Sequence, residues 1–257
     1  MPLLELKNVT KAFGGIIAVK DVSFSVDSGE IIGLIGPNGA GKTTIFNLIT
    51  GVYKPTEGNI VFDGKDITGA SPASIVNAGI ARTFQNIRLF NKLSVLENIR
   101  TVLYREADYG LGDALLRTPK VTRIEKKLYD KSLEYLEVVG LTDFIKNRAD
   151  SLPYGLQRKL EIARALALDP KLLLLDEPAA GMNPDECVDL VELIEKIKKT
   201  YDLTIILIEH HMDVVMELCP RIVVINFGEM LMEGTTQEVQ NDSRVLKAYL
   251  GEEYANA

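Results

Sequence analysis

The 257-residue sequence has little sulfur, and side chains that commonly bind transition metals are scarce. It contains two cysteines, two histidines and no tryptophan. Cys187 and Cys219 stand 32 positions apart, and neither belongs to a metal-ligand pattern. This scarcity excludes a small fold held together by disulfide bonds, and we expect two core thiols in a reduced, intracellular setting.

Long hydrophobic runs are also missing. The longest, such as residues 172–175 and 205–208, fall far short of the roughly 18 to 20 residues that cross a bilayer. The first eleven residues alternate as a strand does, without the basic start and long apolar stretch of a signal peptide. We therefore expect a chain with no membrane-spanning segment of its own, whatever its partners contain.

Basic residues are fewer than acidic ones. There are 29 Lys and Arg against 36 Asp and Glu, so the formal net charge is -7. A broad cationic surface for nucleic acid or anionic lipid is therefore not expected. The hydrophobic share of 46% and the charged share of 25% are typical of globular proteins and exclude a disordered or collagen-like chain.

The spacing of apolar residues divides the chain into three regions. Residues 1–85 are typical of short strands separated by glycine turns. Residues 86–151 have apolar positions at helical spacing, with a loop predicted at 109–119. From 152 to 257 helices and strands alternate, which indicates parallel strands. We predict one α/β domain with a mainly parallel sheet, an N-terminal antiparallel β subdomain and a helical subdomain inserted at 86–151.

A glycine-rich turn follows the apolar strand predicted at residues 31–35. Its sequence GPNGAGKT fits the pattern G-x-x-x-x-G-K-[ST] of a P-loop nucleoside triphosphatase. Glycines let backbone N–H groups turn towards phosphate oxygens, and a helix predicted from Lys42 adds its positive end. Lys42 is expected to reach the β and γ phosphates, and Thr43 to bind Mg²⁺. The predicted nucleotide-binding residues of this turn are Gly36, Pro37, Asn38, Gly39, Ala40, Gly41, Lys42, Thr43 and Thr44.

Two later apolar strands end in residues that suit phosphate hydrolysis. Residues 172–175 are four leucines, followed by Asp176 and Glu177. Asp176 is expected to hold Mg²⁺ through water, and Glu177 to polarise an attacking water molecule. The strand predicted at 204–208 leads to His210, which can hydrogen-bond the γ-phosphate and the attacking water from this position.

These motifs, in this order, resemble the ATP-binding subunit of ABC transporters over nearly the whole chain. The resemblance includes Gln85, which follows the strand predicted to end at Phe84, and residues 152–157 with the sequence LPYGLQ. It implies ATP and Mg²⁺ as cofactors. It further implies that Gln85 contacts Mg²⁺ and senses a membrane partner, that His210 is the switch histidine, and that Phe13 stacks on adenine.

Residues 152–157 are similar to the ABC signature, whose usual form is LSGGQ. Pro153 replaces the serine, Tyr154 the first glycine and Leu156 the glutamine. The serine contact with the γ-phosphate of the opposite subunit is therefore missing. Gly155 and a helix predicted to begin at Leu156 still offer N–H groups and a helix dipole to that phosphate.

Further segments resemble the LivG-type subunit of branched-chain amino acid importers. They are residues 160–164, 176–184 and 208–210, the insert around 109–119 and the ending 246–252. One departure is Asn183, which stands where the inter-subunit loop of ABC subunits usually has Asp. The resemblance implies a cytoplasmic ATPase at the inner face of the membrane. Its partners would be a second ABC ATPase subunit, identical or paralogous, permease subunits and, indirectly, an external solute-binding protein, but no nucleic acid.

Two alternatives stay open at the level of the sequence. They are the ATPase of a different ABC transporter and a soluble ABC ATPase in assembly or DNA metabolism. The acidic balance and the lack of a long coiled-coil insert disfavour a role on DNA. A GTPase switch is not expected, because the base-reading sequence N-K-x-D is missing.

Overall fold

The structure is a computed structural model that describes residues 2–250. The strands are β1 (Leu4–Phe13), β2 (Ile16–Val26), β3 (Ile31–Ile35), β4 (Glu57–Phe62), β5 (Lys65–Asp66), β6 (Ile80–Arg82), β7 (Leu172–Asp176), β8 (Thr204–Ile208), β9 (Arg221–Asn226) and β10 (Glu229–Thr235). The helices are α1 (Lys42–Ile49), α2 (Pro72–Ala78), α3 (Val95–Leu103), α4 (Leu111–Leu116), α5 (Pro119–Val138), α6 (Tyr154–Leu166), α7 (Pro184–Tyr201), α8 (Met212–Leu218), α9 (Thr236–Asn241) and α10 (Ser243–Leu250). Two compact units result, one comprising the chain up to Gln85 and from Lys171 onward, the other Asn86–Pro170.

The first unit contains two sheets. The smaller one is antiparallel, in the order β2-β1-β4-β5. The larger one has the order β10-β9-β3-β8-β7-β6, in which every neighbouring pair is parallel except β10 with β9. The predicted α/β fold, with a mainly parallel sheet and an N-terminal antiparallel sheet, is confirmed.

The core of this unit explains why the central strands lack alternation. Every residue of β3, β7 and β8 is buried, as expected for parallel strands covered on both faces. Ile45, Phe46 and Ile49 of α1 belong to one buried cluster with apolar residues of both sheets. Helix α1, which follows the glycine-rich turn, is therefore held firmly against the sheet.

The register of the large sheet brings several loops to one edge. Strands β7 and β8 are parallel neighbours, with Asp176 opposite Ile208. Strand β3 lies on the other side of β8 and runs in the same direction. The residues after Ile35, Asp176 and Ile208 therefore leave the sheet at the same end, which is where open α/β sheets bind their ligands.

The second unit is helical. Ser94 and Glu97 form a capping box that starts α3, and α3, α5 and α6 pack against one another. The sequence pattern predicts that the insert ends at Ser151. In the structure, the contacts of α6 with α3 and α5 make it part of the helical unit, which extends to Pro170.

The structure corrects several predicted boundaries. Residues 109–119 contain helix α4 rather than only a loop. Helix α6 begins at Tyr154 instead of Leu156, because Pro153 has the extended backbone of an N-cap residue. The predicted strand at 80–84 ends at Arg82. Strands β5 and β10 and helices α2, α8, α9 and α10 have no counterpart in the predictions.

Part of the ending at 246–252 lies in α10, while residues 251 and 252 lie outside the described residues. Within residues 2–250, no helix combines the length and the apolar character that a membrane span requires.

Candidate active site

The glycine-rich turn between β3 and α1 adopts a backbone that side chains would block. Gly36 has φ +152°, and a Cβ atom there would lie 2.0 Å from the carbonyl oxygen of Ile225. Gly41 has φ +108°, and its Cβ would lie 2.7 Å from the carbonyl oxygen of Ala18. Glycine is therefore required at both positions, and the turn can approach a ligand with its backbone N–H groups.

Lys42 is the cation of this turn. Its side chain is largely buried, and Nζ donates hydrogen bonds to the carbonyl oxygens of Gly36 at 2.6 Å and Pro37 at 3.0 Å. Burial lowers the pKa of Lys42, while the nearby carboxylates of Glu177 and Asp176 oppose that change. A polyanionic ligand in the turn would favour the charged amine further.

The turn forms one wall of a pocket of about 300 Å³. The pocket is lined by residues 38–44 together with Ala18, Gln85, Glu177 and His210. The structure therefore brings four of the predicted site elements around one cavity, all within the first unit. The cavity size suits a small polar ligand such as part of a nucleotide.

Glu177 is held in this pocket from two sides. Gln85 Nε2 donates to its Oε2 at 2.8 Å, and His210 Nε2 lies 3.0 Å from its Oε1. Glu177 itself has φ +48°, an unusual backbone angle for a residue with a side chain. Its N–H donates to the carbonyl oxygen of Ile208 at 2.8 Å. These contacts aim the carboxylate at the cavity, where it can accept a proton from water.

Asp176 is buried in an ion pair that the sequence pattern does not indicate. Arg82 on β6 donates to the Asp176 carboxylate at 2.6 Å and to Oδ1 of Asn47 at 2.7 Å. The guanidinium also lies over the rings of Phe46 and Phe84, at 5.4 and 5.2 Å from the ring centres. An arginine within the short apolar strand β6 is the one signal in the sequence that points to a buried partner.

The predicted Mg²⁺ ligands are Thr43, Gln85 and Asp176. They offer a hydroxyl, an amide oxygen and a carboxylate, which are the hard oxygen donors that Mg²⁺ prefers. Thr43 and Gln85 line the pocket, whereas Asp176 is outside its lining and forms an ion pair with Arg82. The donor chemistry fits a magnesium ion bound partly through water.

Phe13 does not line this pocket. It ends β1, is partly exposed, and contacts Tyr53 edge-to-face with 5.1 Å between ring centres. Lys11 Nζ lies 4.9 Å from the centre of the Phe13 ring. The expected stacking of Phe13 on adenine stays a prediction.

Residues 152–157 lie in the second unit, at the start of α6. Gln157 N–H makes the first intrahelical hydrogen bond, to Pro153 O at 3.0 Å. The N–H groups of Tyr154, Gly155 and Leu156 precede that bond, so this helix end has N–H groups without an intrahelical partner and the positive end of the helix dipole. The Tyr154 hydroxyl accepts a hydrogen bond from Arg158 at 3.1 Å, which fixes the ring along the helix.

Asn183 caps helix α7 in the first unit. Its Oδ1 accepts from Glu186 N–H at 3.0 Å, and Glu186 accepts from Asn183 N–H at the same distance. The side chain that replaces the usual Asp is thus engaged in a capping box.

The glycine-rich turn that opens α1, the carboxylate of Glu177 after β7 and His210 after β8 define a P-loop nucleoside triphosphatase site. The chain matches the ABC transporter family over residues 19–180 and the branched-chain amino acid ATP-binding cassette transporter family over residues 229–255. It belongs to the ABC transporter family of ATP-binding proteins.

One curated relative is the high-affinity branched-chain amino acid transport ATP-binding protein LivG of Salmonella typhimurium. It is 44% identical over 251 residues, which cover 98% of each chain. The predicted similarity to LivG-type ATP-binding subunits is confirmed by this comparison.

Two solved structures are similar as well. A nucleotide-free ATP-binding cassette from an ABC transporter has a TM-score of 0.85 and 32% identity, with 98% of this chain and all of that chain covered. A dimeric ATP-binding cassette in a post-hydrolysis state, bound to ADP and phosphate, has a TM-score of 0.75 and 27% identity, covering 91% and 98%. The fold is that of an ATP-binding cassette.

Proposed function

We propose that this chain is the ATP-hydrolysing subunit that drives an importer of branched-chain amino acids. The observation that carries the proposal is the contact of Glu177 with His210 and Gln85 beside the phosphate-binding turn. The name of the LivG relative and the match of residues 229–255 support branched-chain amino acids as the solute.

The residues of the pocket divide the chemistry among them. Backbone N–H groups of residues 38–44 and Lys42 bind the phosphates of ATP and stabilise the charge that develops on the γ-phosphoryl group. Glu177 accepts the proton of the attacking water. His210 donates from Nε2 to Glu177, because a carboxylate only accepts, and so it holds this general base in its working orientation.

Mg²⁺, when bound, would neutralise phosphate charge and polarise the transferred group. Thr43 and Asp176 would hold it, the latter through water, and Gln85 would contact it through its amide oxygen. Gln85 contacts Glu177 through Nε2, whereas its amide oxygen is the atom suited to Mg²⁺.

A second ATP-binding subunit would complete each site. The pocket of one subunit contains no part of residues 152–157, whose helix end offers N–H groups suited to a phosphate. A head-to-tail dimer would supply them, with Pro153, Tyr154, Gly155 and Leu156 facing the partner's nucleotide. The dimeric cassette with ADP and phosphate supports this arrangement. Permease subunits would hold the dimer at the inner face of the membrane.

Phosphate release from Mg-ATP tests the assignment of Glu177. Glu177→Gln should keep ATP affinity within a factor of about two and lower kcat by about 100-fold or more, because the amide cannot take a proton. Glu217→Gln, the same change at an exposed position of α8, is the matched control and should behave as wild type. Hydrolysis by the Glu177 variant at the control rate would refute its assignment as the general base.

Membrane coupling needs a separate experiment. The chain should co-purify with hydrophobic permease subunits from its native membranes, and the reconstituted complex should take up leucine, isoleucine and valine only with ATP. ATP hydrolysis together with transport of a different solute would retain the ATPase assignment and refute the amino acid assignment.

A further inference from the structure

The carboxylate of Glu209 is almost fully buried, at 1% exposure, immediately after β8. Its Oε1 accepts a hydrogen bond from Ala179 N–H at 2.6 Å. Its Oε2 accepts from His210 N–H at 2.9 Å and from His211 N–H at 3.2 Å, and His211 Nδ1 lies 3.2 Å away. Both oxygens thus accept hydrogen bonds from backbone N–H groups, Oε1 from the loop after β7 and Oε2 from the loop after β8.

These two loops carry the groups that face the pocket. Ala179 lies two residues after Glu177 in the loop that follows β7, and it is buried. His210 and His211 form the loop that follows β8, the neighbouring strand. The imidazole of His210 meets the carboxylate of Glu177 at 3.0 Å, so a shift of either loop changes this contact.

We infer that Glu209 is a positioning residue, which ties the loop after β7 to the loop after β8 and so keeps His210 in contact with Glu177. Glu209 lies outside the pocket lining and acts only through its two loops. The inference rests on the proposed function for its effect on hydrolysis, while the positioning itself is a property of the fold.

The hydrogen bonds by which Glu209 connects the two loops, called the Glu209 bridge below, require a carboxylate on a side chain as long as that of glutamate. The glutamine of Glu209→Gln has one oxygen and one NH₂ group in place of the two carboxylate oxygens. Its NH₂ group must therefore face either the N–H of Ala179 or the N–H groups of His210 and His211. Two donors then oppose each other in a site without water access, which is costly. An aspartate keeps the charge and can still accept from its own loop, but it is one methylene too short to reach Ala179 as well.

Histidine NMR signals can report on the Glu209 bridge without overlap from other residues, because His210 and His211 are the only histidines in the sequence. The Nε2 contact of His210 with Glu177 requires a proton on Nε2, and the Nδ1 contact of His211 with Glu209 requires one on Nδ1. Nitrogen NMR of the full chain, with any affinity tag removed, reads both rings and the amide of Ala179.

We would compare Glu209→Gln and Glu209→Asp with Glu217→Gln, an exposed control carrying the same chemical change. Measured quantities are bound nucleotide per chain, KM for ATP, kcat per bound nucleotide and the histidine spectrum. Both Glu209 variants should bind ATP with a KM within about twofold of wild type and lose about tenfold or more in kcat per bound nucleotide. In Glu209→Asp the amide signal of Ala179 should shift. In Glu209→Gln either the amide signal of Ala179 or the ring signal of His211 should shift.

The outcomes separate the inference from the proposed function. A purely structural role would lower the amount of bound nucleotide but leave kcat per bound nucleotide at the control value, and that result overturns the inference. Unchanged histidine and Ala179 signals overturn it as well. If wild type binds ATP but hydrolyses none, the proposed function fails, and the spectra alone decide whether Glu209 joins the loops. Should Glu209→Gln not fold, Glu209→Asp provides the same readouts.

Discussion

Removing the guanidinium of Arg82 should destabilise the fold far more than removing an exposed partner in a comparable ion pair. Arg82 and Asp176 are separated by 2.6 Å, and their side chains are 7% and 4% exposed. Lys171 and Asp63 are separated by the same 2.6 Å, but their side chains are 58% and 51% exposed. The two pairs have the same separation but differ in burial, and Arg82 also binds Asn47 and lies over two aromatic rings. Arg82→Ala against Lys171→Ala therefore compares a buried ion pair and its supporting contacts with an exposed one.

The expected magnitude follows from what Arg82→Ala leaves behind. The carboxylate of Asp176 loses its buried cation, and Oδ1 of Asn47 loses its donor. Breaking a buried ion pair on one side costs about 3 to 5 kcal/mol. Nε of Arg82 has no partner among the described residues, so the variant also removes an existing penalty. We therefore expect about 3 kcal/mol, against at most about 1 kcal/mol for Lys171→Ala.

Urea unfolding measures the difference. With an m-value near 3 kcal/mol/M, a loss of about 3 kcal/mol lowers the midpoint by about 1 M, while Lys171→Ala should shift it by about 0.3 M or less. Arg82→Ala combined with Asp176→Ala should cost less than the sum of the single changes, because the second removes the stranded charge. Equal midpoints for Arg82→Ala and Lys171→Ala would refute the reasoning from burial.

Three further predictions concern other parts of the structure. Gly36→Ala should lower the free energy of unfolding by about 2 kcal/mol and weaken ATP binding, because its Cβ would lie 2.0 Å from the carbonyl oxygen of Ile225. Gly15→Ala, which has open space around it, should do neither. Calorimetry with ATP distinguishes the two variants. Burial raises the pKa of Cys219 to about 12. In the native protein at pH 8, a thiol reagent should therefore modify the partly exposed Cys187 first and Cys219 only on unfolding. Early labelling of Cys219 would contradict this. The hydrogen bond from Tyr109 to Glu125 raises the pKa of Tyr109 to about 12, because it favours the protonated phenol. Carbon NMR at pH 10.5 should find Tyr109 protonated in wild type and largely ionised in Glu125→Ala.

Local patterns predicted the parts of the site that lie along one segment. The glycine-rich turn, the helix from Lys42 and the carboxylates after four leucines each depend on spacing within about ten residues. The sequence assigned Glu177 and His210 separately to the attacking water and did not predict their direct contact, which arises because parallel strands end at one edge of a sheet. The structure brings both to the pocket with Gln85.

Contacts between distant segments left no comparable pattern. Arg82 meets Asp176 across 94 positions and Ala179 meets Glu209 across 30. The buried carboxylates of Asp176 and Glu209 find their partners only because the sheet brings distant segments together. Strand β10 pairs antiparallel with β9 at the edge of the sheet, and none of its residues is buried, so its apolar signal was too weak for a strand prediction.

The altered signature segment lacks a side chain of the usual motif but has the backbone donors of a helix start. Pro153 removes the serine hydroxyl, yet its fixed φ suits the residue before a helix, and α6 begins two residues earlier than its sequence pattern indicates. The N–H groups of residues 154–156 therefore all precede the first intrahelical bond. Tyr154 brings a bulky ring, but its hydroxyl is bound by Arg158 one turn further along the same helix. The change at Pro153 thus removes one hydroxyl donor while the helix end retains the N–H groups and dipole that favour an anion.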